Sequence, residues 1–145
     1  MLSCDFVDID EQIVLETGKS IKELFDLYGE DGFRKIETDC LAGQLQKEGF
    51  RIVSCGGGII LREENRKLLR EKAYTVWIRR APRLVLENQR VLERPPVNGD
   101  PNRYHMLLRQ RTPLYKESAE MSLQNRNAFV TARQLCRILQ KQQGR

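Results

Sequence analysis

The apolar pattern of this chain changes period several times, and the order of those changes restricts the fold more than any single motif. Strand-like and helix-like repeats alternate as strand, helix, helix, strand, helix, strand, helix, the rhythm of an α/β domain on a parallel sheet. Residues 6–9, FVDI, read as a short strand. Helical patterning follows as far as Gly18, and Ser20 with Glu23 forms a capping box opening a helix with Ile21, Leu24, Phe25 and Tyr28 on one face. After Gly29 another helix carries Phe33, Ile36, Leu41 and Leu45 and stops near Gly49. Residues 51–55 and 74–78 are the two strongest strands, rich in β-branched and aromatic residues, with a charged helix over 63–72 between them. Residues 84–93 are again helical in pattern. Residues 94–102 hold three prolines, a glycine and two asparagines, which predicts a mobile surface loop of lid length rather than a helix. A helix resumes over 104–108, a short strand lies near 121–123, and 127–140 is an amphipathic helix.

The chain's 145 residues fit one domain, 1–145, with room for a core, and an apolar share of 40% against 31% charged is ordinary for a soluble protein. No apolar run approaches the roughly 18 residues of a membrane helix, and no basic-then-apolar leader opens the chain, so a cytoplasmic protein is expected. The net charge of +5 is dispersed among acids such as Glu63, Glu64 and Glu71, and the more basic C-terminal half lacks interleaved aromatic residues. Nucleic acid therefore fits poorly, and a phosphorylated or carboxylated small ligand explains the excess at least as well. The cysteines, Cys4, Cys40, Cys55 and Cys136, form no C-x-x-C pair, so buried reduced thiols are expected.

Several residue types stand where chemistry could use them. Asp8 and Asp10 lie on and just beyond the first strand, where two carboxylates on one side could hold Mg²⁺ or accept a proton from a hydroxyl; equally, Asp10 could simply cap the following helix. Arg34 precedes Glu37 by three residues, a spacing that lets the carboxylate orient a guanidinium to clamp a substrate carboxylate, or that makes an ordinary surface pair. Arg94 at the mouth of the proline-rich loop and Arg111 before Pro113 are further placed cations. Gly56, Gly57 and Gly58 allow a ligand close to the backbone or form a tight turn. They are not a Walker-type phosphate loop, because G-x-x-x-x-G-K-[ST] occurs nowhere in these residues. His105 has no triad partner.

The stretches FVDIDEQI, TGKSIKELFDLYGEDGFRKIE, IVSCGGGIIL with ENRKLL, VWI, ERP and RQRTPLYKESAEMSL together resemble shikimate kinase, in order, from Phe6 to about Leu123. The resemblance implies an α/β fold of the P-loop kinase type: a parallel sheet of strand order 2-3-1-4-5, helices on both faces and a lid over about 94–104. It implies transfer of the γ-phosphoryl of ATP to the 3-hydroxyl of shikimate with Mg²⁺, in aromatic amino-acid biosynthesis, by a monomer. Asp10 would bind the substrate hydroxyls and assist deprotonation, and Asp8 would stand in the metal's outer shell. Arg34 and Arg111 would grip the substrate carboxylate, Glu37 would orient Arg34, and Gly56, Gly57 and Gly58 would bind substrate. Arg94 and Arg126 would serve the ATP side, Arg94 as the lid residue.

Three departures accompany the likeness. The family opens with a strand, a G-x-x-G-x-G-K-[ST] loop and a helix, whereas these residues begin where that helix should end. The arginine usual seven residues before the lid arginine is Glu87, with Arg90 the nearest substitute, and the lid lacks the usual leucines after Arg94-Pro95. The first departure takes away the central strand, so strands two and three are expected to lose their bond to strands four and five, and the 145 residues alone are expected to be unstable, to bind ATP poorly and to turn over at no useful rate. An incomplete record of a normal enzyme is favoured over a non-catalytic, P-loop-less relative that binds a shikimate-like ligand, because the substrate-side residues are all present. A gluconate-type kinase of the same fold and a basic nucleic-acid module are the remaining readings.

Overall fold

The computed structural model describes residues 4–93 and 97–143. Four short strands pair in parallel as two two-stranded sheets, β1 (Asp5–Asp8) with β2 (Arg51–Ser54), and β3 (Val76–Arg79) with β4 (Met121–Gln124). These are the pairs that the order 2-3-1-4-5 leaves on either side of its central strand. The chain divides into two compact units at Tyr74 and Thr75. Among the described residues no helix is long and apolar enough to cross a membrane.

In the first unit, β1 and β2 run in register from Asp5 opposite Arg51 to Asp8 opposite Ser54. The strand ends at Asp8 rather than at the expected Ile9, because Asp8 is also the N-cap of α1 (Ile9–Thr17): its Oδ1 accepts the backbone N–H groups of Asp10 and Glu11 at 3.0 and 3.2 Å. Gly18, in the left-handed region, closes α1 as the sequence indicated. The capping box at Ser20 forms as expected: the Glu23 N–H donates to Ser20 Oγ at 3.2 Å and the Ser20 N–H to Glu23 Oε2 at 2.7 Å. It opens α2 (Ile21–Gln46). The two helices read on either side of Gly29 are continuous except at that residue, whose φ of 67° and ψ of −177° bend the axis. A 3-10 turn, Ile59–Leu61, and α3 (Glu63–Lys72) follow β2. Ile9, Ile13, Leu24, Phe33, Leu41, Ile59, Ile60 and Leu69 form the buried core, each fully buried side chain contributing about 1.5–3 kcal/mol.

That conformation at Gly29 is one that residues with a β-carbon rarely adopt. Gly29→Ala should therefore lower stability by about 1–3 kcal/mol although open space surrounds the position. Urea denaturation measures it; an unchanged midpoint would show that the kink relaxes freely.

In the second unit, α4 (Pro82–Leu86) and α5 (Gln89–Leu92) replace the single helix read over 84–93. Asn88 divides them by accepting the Arg90 N–H at 3.0 Å, which starts a new helix. The loop reading also needs correction at its end. Helix α6 (Pro101–Ser118) begins at Pro101, with Asp100 as cap, because proline at the first helical position costs no hydrogen bond. Asn98 and Gly99 keep the expected turn, both with positive φ. Trp77 on β3 stacks on Tyr115 of α6, with centroids 5.1 Å apart. The tail helix is present as α7 (Ala128–Gln143); on its expected apolar face Leu135, Ile138 and Leu139 are half-buried, whereas Phe129 and Val130 are exposed.

Candidate active site

The parallel register sets the site. Asp8 and Ser54 are opposite at the carboxyl ends of β1 and β2, and Ser54 Oγ donates to Asp8 Oδ2 at 2.8 Å. Two residues further along each strand, Asp10 and Gly56 come together. A β-carbon at Gly56 would stand 3.7 Å from both carboxylate oxygens of Asp10 and from Oε1 of Glu37. The helix cap therefore belongs to Asp8, and Asp10, in the first turn of α1, places its carboxylate against the glycine loop. In open α/β sheets the ends of the strands are where ligands bind.

Arg34 and Glu37, one turn apart on α2, form the second half. Arg34 Nη1 donates to Glu37 Oε2 at 2.9 Å, with the arginine 7% and the glutamate 1% exposed. Such burial removes the surface-pair reading: two charges out of water are tolerated only when each is paired. The guanidinium is bracketed by Phe25 and Phe33, its centre 5.8 and 5.3 Å from their ring centroids, and Glu30 lies 3.5 Å from Nη2. On the remaining side it occupies the space that a β-carbon of Gly58 would fill. Nε of Arg34 is buried with no hydrogen-bond partner. A buried donor without an acceptor is uncommon enough to require an explanation.

Cys55, at the end of β2, shares this acidic surrounding. Burial first, then Glu37, Asp8 and Asp10, pushes its thiol up to about 12, and burial pushes Cys40 up to about 11. All four thiols are free; Cys40 alone is buried, Cys4 and Cys55 are half-buried and Cys136 is exposed, against the expectation of mostly buried thiols. Raised pKa values keep both protons on in the folded state. They favour folding below about pH 9, the ordinary thiol value, and that contribution is lost as the pH climbs towards 12. Brief iodoacetamide treatment at pH 8 should alkylate the exposed Cys136 and spare the buried Cys40, read by peptide mass mapping; early modification of Cys40 would contradict its burial.

This combination, a carboxylate beside side-chain-free backbone and a buried arginine fixed by a glutamate, matches the motifs of one kinase family, and comparison with known proteins agrees. The sequence model for shikimate kinase matches residues 1–140. The chain belongs to the shikimate kinase family. The shikimate kinase of Stenotrophomonas maltophilia K279a is 38% identical over 122 residues, 82% of this chain and 67% of that protein. The one from Burkholderia thailandensis is 38% identical over 122 residues, 82% of this chain and 66% of that protein. The chain thus spans about two thirds of the length of these relatives. Among solved structures, shikimate kinase from Acinetobacter baumannii in complex with shikimate superposes with a TM-score of 0.85 at 28% identity, covering 95% of this chain and 80% of that one. The Aquifex aeolicus shikimate kinase, at 24% identity and a TM-score of 0.78, supports the fold; it covers 97% of this chain and 83% of its own.

Of the other residues singled out by sequence, Arg111 and Arg126 lie in the second unit. Arg111 is half-buried on α6 with an unpartnered Nε, and Arg126 is exposed between β4 and α7. Arg94 lies outside the described residues. No group of three or more His, Cys, Asp or Glu residues able to hold a metal occurs among the described residues. Both carboxylate oxygens of Asp8 already accept hydrogen bonds, so an outer-shell contact through water is the part that fits it. Sequence reading missed Ser54, which fixes Asp8, and Asn65 and Arg66, which fasten the turn after the glycines. Both of the latter stand in the quoted ENRKLL, but nothing local in that helix tells which carbonyls they reach.

Proposed function

We propose that the protein transfers the γ-phosphoryl group of ATP to the 3-hydroxyl of shikimate. The buried Arg34 guanidinium, fixed by Glu37 and seated against the Gly58 backbone, carries this reading. With Nη1 committed to Glu37, the Nε–Nη2 edge is the one a planar carboxylate meets in two parallel hydrogen bonds, in place of the exposed Glu30 that stands 3.5 Å from Nη2. The absence of side chains at Gly56 and Gly58 brings the Asp10 carboxylate and the Arg34 guanidinium up to the backbone, where a ligand can meet both. Asp10 then accepts hydrogen bonds from the ring hydroxyls and takes the proton of the attacking one as its oxygen bonds to the γ-phosphorus and the bond to ADP breaks. Arg111 joins in gripping the carboxylate by motif, and Arg94 and Arg126 keep the phosphate-side parts that the family pattern gives them. Asp8 would hold Mg²⁺ through its hydration shell, and the ion, when bound with the ATP phosphates, would supply neutralisation of their charge. No G-x-x-x-x-G-K-[ST] pattern occurs in these 145 residues, so cradling of the phosphates is assigned to none of them. A cytoplasmic monomer goes with the reading.

A coupled ADP-release assay on the full gene product tests it. Shikimate should drive ADP release, gluconate should not, and Asp10→Asn should cut kcat by about 10²–10⁴-fold, the usual worth of a positioned base. Release driven by gluconate and not by shikimate would overturn the reading.

A further inference from the structure

The turn that follows the glycines is held from one side by α3. Asn65, on that helix, is wholly buried, and its Nδ2 donates to the carbonyl of Ile59 at 2.9 Å. Its neighbour Arg66 donates through Nη1 to the carbonyls of Ile60 and Leu61 at 2.9 and 3.1 Å. Within the turn, the N–H groups of Ile59 and Leu61 donate to the carbonyls of Gly56 and Gly58, both at 3.1 Å. Every carbonyl of the 3-10 turn is thus taken by α3. Oδ1 of Asn65, by contrast, is buried with no partner. A site selected only for packing would hold an apolar side chain of similar volume and leave no orphaned acceptor. The amide is retained there for its donor.

We infer that Asn65 is a positioning residue for substrate: by fixing the Ile59 carbonyl it seats Gly58 against the Arg34 guanidinium and so sets the edge that meets a carboxylate. The inference rests on the proposed shikimate-carboxylate reading of Arg34. The lever is short. Gly58 directly precedes the residue whose carbonyl Asn65 holds, and no β-carbon separates its backbone from Arg34. If the turn loosens, Gly58 backs away, the guanidinium gains freedom to rotate about its Glu37 contact, and the two-point fit to a carboxylate is lost. Asp10, which supplies contacts to ring hydroxyls, is carried by α1 and not by α3.

Asn65→Leu keeps the volume and removes the donor. In the full chain, calorimetry should show shikimate affinity falling about tenfold, as expected for a misplaced positioning contact. The affinity for shikimate methyl ester, which has no carboxylate charge, should change by less than about twofold, within the scatter of contacts outside the altered network. Equal weakening of both ligands, or an unchanged acid-to-ester ratio, overturns the inference, since a general loss of structure affects the two alike. Asn65→Ser gives the same comparison should the leucine variant not fold. Without ligand, amide exchange at residues 58–61 should accelerate in either variant, and unchanged exchange also overturns the inference. Wild-type protein that ignores shikimate defeats the carboxylate reading instead, and exchange at these four amides still decides whether Asn65 holds the turn.

Discussion

Arg34→Met should abolish the grip on a carboxylate and unsettle the fold in the same stroke. Charge-assisted hydrogen bonds of this kind are worth about 1.5–3 kcal/mol each, so shikimate affinity should fall by about 100-fold or more. The stability effect has a different origin. Glu37 is 1% exposed and takes the Arg34 Nη1 donor, so methionine leaves its charge without that counter-ion in the core. Breaking a buried pair from one side costs about 3–5 kcal/mol. Against a total stability of about 5–15 kcal/mol for a domain, that loss is large. Adding Glu37→Gln to Arg34→Met should recover much of the stability and none of the affinity, because the uncompensated charge is gone while the clamp is still missing. Urea denaturation together with calorimetric titration separates the two effects. A single methionine variant of wild-type stability would contradict the buried-pair account.

Gly58→Ala should be nearly as damaging as removing the arginine, and Gly56→Ala should not. A β-carbon at Gly58 falls on the Arg34 guanidinium, which is hemmed in by Phe25 and Phe33 and cannot retreat freely. Displacement by about 1 Å is enough to cost on the order of 100-fold in a positioned site. At Gly56 the same atom meets Asp10 and Glu37 oxygens at 3.7 Å, an ordinary contact. Without ligand, therefore, Gly56→Ala should fold as the wild type does. Side-by-side melting curves and shikimate titrations of the two alanine variants give the comparison. Equal tolerance at both positions would mean that Arg34 does not sit where the structure places it.

The strands were legible because β-branched residues concentrate in them, and the capping box and Gly18 announced their boundaries by chemistry that acts within four residues. What failed was what depends on distant partners. Sequence alone points only to Asp10 as a cap for α1, whereas the structure gives the cap to Asp8. The choice of Asp8 comes with its pairing to Ser54, 46 residues away, which no local pattern carries. The apolar run through residues 84–92 hid the break at Asn88, since an asparagine cap looks like any polar residue in a helical repeat. Pro101 was read as a breaker because proline in a loop-rich context usually is one; placed just after Asp100 it starts a helix instead. The Arg34–Glu37 spacing does bring the two side chains together, yet spacing cannot tell a surface pair from a buried one. The packing of Phe25, Phe33 and the side-chain-free Gly58 around the pair settles that.

The central claim is that Arg34, fixed by Glu37 and seated on Gly58, receives a carboxylate. Calorimetric titration of the wild-type chain with shikimate and, in parallel, with its methyl ester tests it most directly. The account predicts saturable binding of the acid at one site per chain and binding of the ester weaker by about 10-fold or more, the worth of one charge-assisted contact. Equal affinity for acid and ester, or no heat with either, would contradict it.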